Sequence, residues 1–180
     1  MVTPFRPALD LLSQYARYHR DRRNIQTHFI GVPMIVFGVG VLLAQPAFGL
    51  GGLLLTPAWL VFALVAGWML TRGHIGIGVA STVVVGILIL LAHRVPTDST
   101  TFWLAWGVGS FVVGWVIQFV GHYYEGQKPA FADDLVGLLV GPMFVTLELA
   151  ALLGLFKSLM AQIEDRVGPT HLRDLAHSAT

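Results

Sequence analysis

Two polar clusters in this chain offer metal ligands. The first runs from Tyr18 through His19, Arg20, Asn24 and Thr27 to His28. The second runs from Gln118 through Gly121-His122 to Glu125. Three imidazoles and a carboxylate are the donor set of a divalent transition metal. Residues three and four apart share a helix face, so Gln118, His122 and Glu125 form one stripe, with Trp115 deeper along it. A His and a Glu at this spacing reverse the Glu-x-x-His order used by carboxylate-bridged metal bundles. Gly126 and Pro129 are stop signals that place both groups in the last turn of their helix. His19 and His28 are nine residues apart, about 180° of rotation on one continuous helix. They can face one ion only if a turn falls between them, in Arg20–Asn24, with Asn24 as the cap of the next helix. The structural alternatives are helix capping by the second cluster and lipid headgroup binding by His19 and the arginines.

Glu148 lies within an apolar stretch, where an unpaired carboxylate is expensive, so it needs a partner such as an arginine or a metal-bound histidine. His74 falls in a loop on the same side as the clusters. His93 falls on the opposite side, and His171 and His177 lie in the tail. The chain has no cysteine, which excludes disulfides, thiolate sites and cysteine nucleophiles. It has no glycine-rich phosphate loop and no G-x-S-x-G elbow.

The elements that must position these groups are membrane helices. The chain has 180 residues, one domain's worth, and is 55% hydrophobic and 12% charged; soluble proteins carry roughly 25% charged residues. A net charge of +1 argues against a nucleic-acid partner. Residues 1–28 lack the apolar core of a cleavable signal, so the whole chain is expected in the mature protein. Residues 8–19 place Leu9, Leu12, Tyr15, Ala16 and His19 on one face of an amphipathic helix lying at the interface, with Pro7 at its start and Arg6 and Arg17 toward headgroups. Packing on the rest of the protein is the alternative for that face. Apolar spans are expected over Phe29–Ala44, with Pro33 near its start, and over Trp59–Leu70, Ile75–Ala92 and Phe102–Gly121. A fifth stretch, Leu135–Phe156, is interrupted by Gly141-Pro142 and is either kinked or re-entrant. The expected fold is an all-α integral membrane bundle of four or five spans with an N-terminal amphipathic helix. Residues 1–157 form the transmembrane domain, and 158–180 form a polar tail, an exposed helix ending in a loose terminus.

Arg17, Arg20, Arg22 and Arg23 precede the first span and set a cytoplasmic N-terminus. Counting spans then puts the 71–74 turn and the 121–134 segment on that same side. Both ligand clusters therefore meet at one membrane face.

The clusters together resemble the Mpo1-like family of small membrane proteins. The matching residues are Tyr18-His19, Asn24, His28 and Gly31-Val32-Pro33; Trp115, Gln118-Phe119, Gly121-His122, Glu125 and Pro129-Ala130; and Pro142, Phe144 and Glu148. The resemblance implies an Fe(II)-dependent dioxygenase that shortens 2-hydroxy fatty acids by one carbon (α-oxidation) in sphingoid-base breakdown, using O2. It implies His19, His28 and His122 as metal ligands, Glu125 beside them in the catalytic set, and Asn24, Gln118, Glu148 and Arg20 as supporting or substrate-binding groups. The family pattern sets three residues between the GH histidine and the glutamate; here only Tyr123 and Tyr124 intervene, a change of about 100° on a helix. The implied partners are the hydroxy acid, O2 and membrane lipids. The implied location is the cytoplasmic membrane of a bacterium or the endoplasmic reticulum of a eukaryote, with the site on the cytoplasmic side. Two other readings fit the residues: a zinc-dependent lipid hydrolase with Glu125 or Glu148 as general base, and a non-enzymatic scaffold or transporter.

Overall fold

The computed structural model describes residues 4–50, 53–129 and 135–175. The described residues form an all-α bundle of seven helices: α1 (Ala8–Ala16), α2 (Arg22–Leu43), α3 (Pro57–Leu70), α4 (Ile75–Ala92), α5 (Thr100–Glu125), α6 (Val136–Leu152) and α7 (Lys157–Val167). A short antiparallel hairpin, β1 (Phe48–Leu50) with β2 (Leu53–Leu55), lies between α2 and α3. His177 and Ala130 lie outside the described residues.

Helices α2, α4 and α5 are long and apolar enough to cross a membrane. Their outward faces carry half-exposed side chains such as Val83 and Ile87 on α4 and Val112 and Val116 on α5. Such apolar faces belong in lipid. Helix α3 has only 14 residues, about 21 Å at the α-helical rise, against a hydrocarbon core of about 30 Å. The fifth stretch runs through Pro142 but ends at Leu152, and the axis then bends by 116° into α7. Gly154 and Phe156, both at positive φ, make that turn. The chain thus turns back, and α7 buries Leu159 and Ile163 in the same core as Leu11 and Leu12 of α1. The expected terminal helix is present and most of its residues are exposed, but it is docked on the bundle through one stripe. Its apolar stripe is covered by α1, and an ion pair from Arg166 to Asp10 (2.6 Å) ties the two helices at the surface. Helix α1 is amphipathic as expected, but its apolar face packs on α6 and α7 rather than lying against lipid.

The pairing that matters most for the site is α2 with α5. Glycines recur every seven residues on both facing stripes: Gly31 and Gly38 on α2, and Gly107, Gly114 and Gly121 on α5. All five are buried. A Cβ on Gly114 would stand 2.8 Å from the Gly31 carbonyl oxygen, and one on Gly38 would stand 2.7 Å from that of Gly107. Small residues in register let two membrane helices approach backbone to backbone. A Cβ on Gly121 would overlap Thr27 Oγ1 and Asn24 Oδ1, so the close approach continues to the site. Gly114→Leu is therefore expected to force the helices apart and destabilise the protein by about 1–3 kcal/mol or more. Gly109→Leu, at a position open on all sides, is expected to be tolerated. Thermal unfolding of the two variants in detergent compares them directly.

Helix α2 starts at Arg22, well before the apolar run at Phe29. Its cap is Asp21 and not Asn24: Asp21 is extended, and its Oδ1 accepts the Arg23 N–H at 2.8 Å. Asn24 turns inward and is fully buried. Because the helix starts earlier, Pro33 is an interior residue rather than a first-turn one.

Candidate metal centre

His19 follows α1, His28 lies in the second turn of α2, and His122 lies in the last turn of α5. The break at residues 17–21 supplies the turn that the nine-residue spacing requires. One ligand nitrogen from each of the three rings lies within 4.8 Å of those of the other two. The three side chains are 0, 1 and 7% exposed, respectively.

The hydrogen bonds define which nitrogens are free. Nδ1–H of His19 donates to the Tyr15 carbonyl (2.7 Å), and Nδ1–H of His28 donates to the Asn24 carbonyl (2.8 Å). Each backbone oxygen fixes the tautomer, leaving a lone pair on Nε2. Those two Nε2 atoms face each other at 2.9 Å. With both protons committed to carbonyls, neither has one to share. Burial first, and then the neighbouring His28 and His122, hold the His19 pKa well below the usual histidine range, so protonation does not resolve the contact. His122 adds a buried Nδ1 with no hydrogen-bond partner. Converging lone pairs in a dry site are resolved by a cation, and neutral imidazoles are the donors that Fe(II), Zn(II) and related ions accept. The residues present fit a divalent transition metal.

Around the rings, Tyr15 stacks on His19 (centroids 4.1 Å apart, planes 6° apart), and Phe144 leans on both. Burial pushes the Tyr15 phenol pKa up, so it stays a neutral group. The sequence reading placed Tyr15 only on the apolar face of an amphipathic helix; its position four residues before His19, on the same helical face, was the available signal. A cavity of about 60 Å³ opens beside His28 and His122, bordered by Tyr15, Gln118, Trp115 and Pro142. The Gln118 side-chain nitrogen is buried there without a partner, a donor suited to an oxygen of a bound molecule.

Glu125 is turned away from the rings toward the turn that joins α1 to α2. Its Oε1 accepts the Arg20 backbone N–H (2.9 Å), and its Oε2 accepts the Asp21 backbone N–H and Asn24 Nδ2 (2.9 Å each). The carboxylate thus clamps the chain between His19 and His28 to the end of the helix that carries His122. Arg20 is buried outside the cavity: Nε donates to the Ala16 and His19 carbonyls, and Nη1 donates to that of Gly168. Its Nη2 lies 3.9 Å from Glu148, the partner expected for that intramembrane carboxylate.

The outer side of the same turn is held by the tail. His171 N–H donates to the Arg20 carbonyl, and Arg22 N–H donates to that of His171 (2.9 Å each). The Arg173 N–H reaches Asp21 Oδ2 at 2.8 Å. Residues 168–173 therefore form a strap, so the described part of the tail is not loose. His74 caps α4 by accepting the Ile77 N–H, and His93 bonds Thr56 and stacks on Trp59; neither reaches the cluster.

Asp21 joins cap and strap, and its acidity reports their integrity. Burial raises its pKa, but the Arg23 side chain and the Arg173 and Arg23 amides outweigh burial and hold it at about 2. A folded pKa below the unfolded value stabilises the protein above about pH 4, and that contribution is lost as pH falls through about 2. Asp21→Asn is expected to cost at most about 2 kcal/mol at neutral pH. The difference from the parent protein should vanish near pH 2, as thermal unfolding across that range would measure.

A model of the Mpo1-like family, described as 2-hydroxy-palmitic acid dioxygenase Mpo1-like, matches residues 5–77 and 72–153. The chain is 32% identical over 161 residues to the 2-hydroxy-palmitic acid dioxygenase MPO1 of Saccharomyces cerevisiae, covering 87% of this chain and 88% of the yeast protein. No solved structure matches the chain. The matched region spans α1 to α6 and contains all three histidines, so this chain belongs to the Mpo1-like family.

Proposed function

We propose that the protein is an Fe(II)-dependent membrane dioxygenase that shortens 2-hydroxy fatty acids by one carbon. The observation that carries this reading is the buried trio of His19, His28 and His122, with the first two locked as Nε2 lone-pair donors. Kinship with a 2-hydroxy-palmitic acid dioxygenase supports the substrate class. The reaction balances without a further reductant: hydroxy acid and O2 give the shorter acid, carbon dioxide and water, with four electrons passing to O2.

When bound, iron would supply O2 chemistry and a Lewis-acid seat for the acid's oxygens. The chain's own residues do the rest. His19, His28 and His122 would hold the ion, beside the cavity that would take the substrate. Gln118 offers a hydrogen-bond donor to the carboxylate or 2-hydroxyl. Trp115, Val32 and Pro142 exclude water from the cavity beside the rings. The arginines ahead of the apolar run of α2 support a cytoplasmic location for this end of the bundle, where the headgroup of a membrane-dissolved acid lies.

The test is metal content and oxygen uptake of protein purified in detergent without added metals. About one iron per chain, with O2 consumed and an acid one carbon shorter formed from 2-hydroxypalmitate, is the expected result. Stoichiometric zinc with no oxygen uptake would favour a hydrolase and overturn the reading.

A further inference from the structure

A second, larger cavity of about 300 Å³ lies between α2, α3, α4, α5 and α6. That is the lower end of the range for small-molecule sites. No lining residue is charged. It adjoins the cavity beside the histidines, from which only the shared side chains of Ile35, Val36, Trp115, Leu138 and Pro142 divide it. Along α2 the wall runs from His28 through Val32, Val36 and Val39 to Leu43. The 15 steps from His28 to Leu43 rise about 22 Å.

We propose that this groove is the acyl-chain site and that its far end, at Val39, Leu43, Val61 and Val65, sets which chain lengths are accepted. The inference rests on the reading of the histidine cluster as the seat of the acid's polar head. For a polar head held beside His28 and His122, the adjoining apolar space lies inward along α2, past the movable side chains of Ile35, Val36 and Leu138. The occupant is therefore a long, unbranched chain attached to a small oxygen-rich head. A wholly apolar wall discriminates by length and not by hydrogen bonding. Each methylene buried there is worth about fourfold in affinity, up to the length the groove can cover. The short α3 makes the groove possible: Ala58 and its neighbours close the deep end without filling it.

The experiment uses the full-length protein in detergent and a long-chain 2-hydroxy acid carrying a diazirine at its terminal carbon. Photolysis followed by peptide mass spectrometry is expected to place the label on α2 and α3, at residues such as Val39, Leu43 and Val61. Label on the outward faces, at Val83 or Val112, would overturn the proposal and put the chain in the bilayer. So would equal displacement of the label by phosphatidylcholine and by 2-hydroxypalmitate, which would make the groove a general lipid slot. Val39→Phe supplies a second readout. The ratio of kcat/KM for a long acid to that for a short one is expected to fall at least tenfold, whereas Val112→Phe on the outer face leaves that ratio unchanged. An unchanged ratio in Val39→Phe would count against the groove. Photolabelling needs no turnover, so the two readings fail separately. Label in the groove of a protein that consumes no oxygen refutes the dioxygenase and keeps the site. An active enzyme labelled on its outer face does the reverse.

Discussion

His122→Ala is expected to abolish metal binding and turnover while leaving the protein folded and inserted. Outer partners of a metal ligand are worth about 10–100-fold in affinity, and a direct ligand in a set of three should exceed that. Stability should fall by about 2 kcal/mol, because the lost ring packs on His19 and His28 and leaves a cavity, without unfolding the bundle. His122 stands in the last turn of α5, where alanine is the best helix former. Its Nδ1 has no hydrogen-bond partner, so truncation breaks no bond at that atom. Its neighbours Gly121 and Gln118, which meet α2, are untouched. Elemental analysis of monodisperse protein gives the answer. Full retention of metal would mean that the ligand set is wrong and that the GH pair is a packing feature. His28→Ala should lose the metal equally. The Asn24 carbonyl it releases lies in the first turn of α2 and keeps the helical acceptor geometry.

Glu125 is expected to behave in the opposite manner, with a large effect on stability and a small one on chemistry. Its two oxygens satisfy three N–H donors, all buried. Hydrogen bonds to a charged group are worth about 1.5–3 kcal/mol each, and unpaired buried donors incur a full desolvation penalty. Glu125→Ala should therefore destabilise the protein by several kcal/mol and let His19 drift from the other two rings. Glu125→Gln keeps the shape and one acceptor oxygen but turns an NH2 toward other donors. It should be milder than loss of any of the three histidines. The discriminating readout is turnover per bound metal. A clamp lowers metal occupancy and the unfolding temperature while each loaded molecule still works at the parental rate. A residue acting on substrate would lower the rate at full occupancy.

In this structure the carboxylate is engaged with the α1–α2 turn and not with the rings.

Much of the architecture was written in composition and spacing. Runs of apolar residues separated by short polar turns specify membrane helices, because a lipid environment leaves the backbone no other partner than itself. Both clusters were visible as polar ends of apolar segments, although the span count that set them on one face relied on Trp59–Leu70, which is shorter than a full crossing. The Gly126 stop placed His122 and Glu125 in a last helical turn. The glycine repeat on α2 and α5 was equally present in the sequence as a seven-residue period, and its meaning lies in the close approach it permits.

Other features depended on the tertiary fold because they arise between segments distant in the chain. Which of Asp21 and Asn24 would cap α2 was decided by Glu125, more than a hundred residues away, which draws Asn24 inward. The order of Nδ1 and Nε2 in His19 and His28 follows from carbonyls that present themselves only once the turn has formed. The tail became a strap because residues 20–23 offer it backbone partners, a pairing that no local pattern encodes. A sequence of this kind determines which segments enter the membrane and which side chains can bind metal. The directions in which those side chains point, and the apolar groove beside them, are set by helix packing, where shape and unpaired hydrogen-bonding groups choose among arrangements that the residue pattern leaves equal.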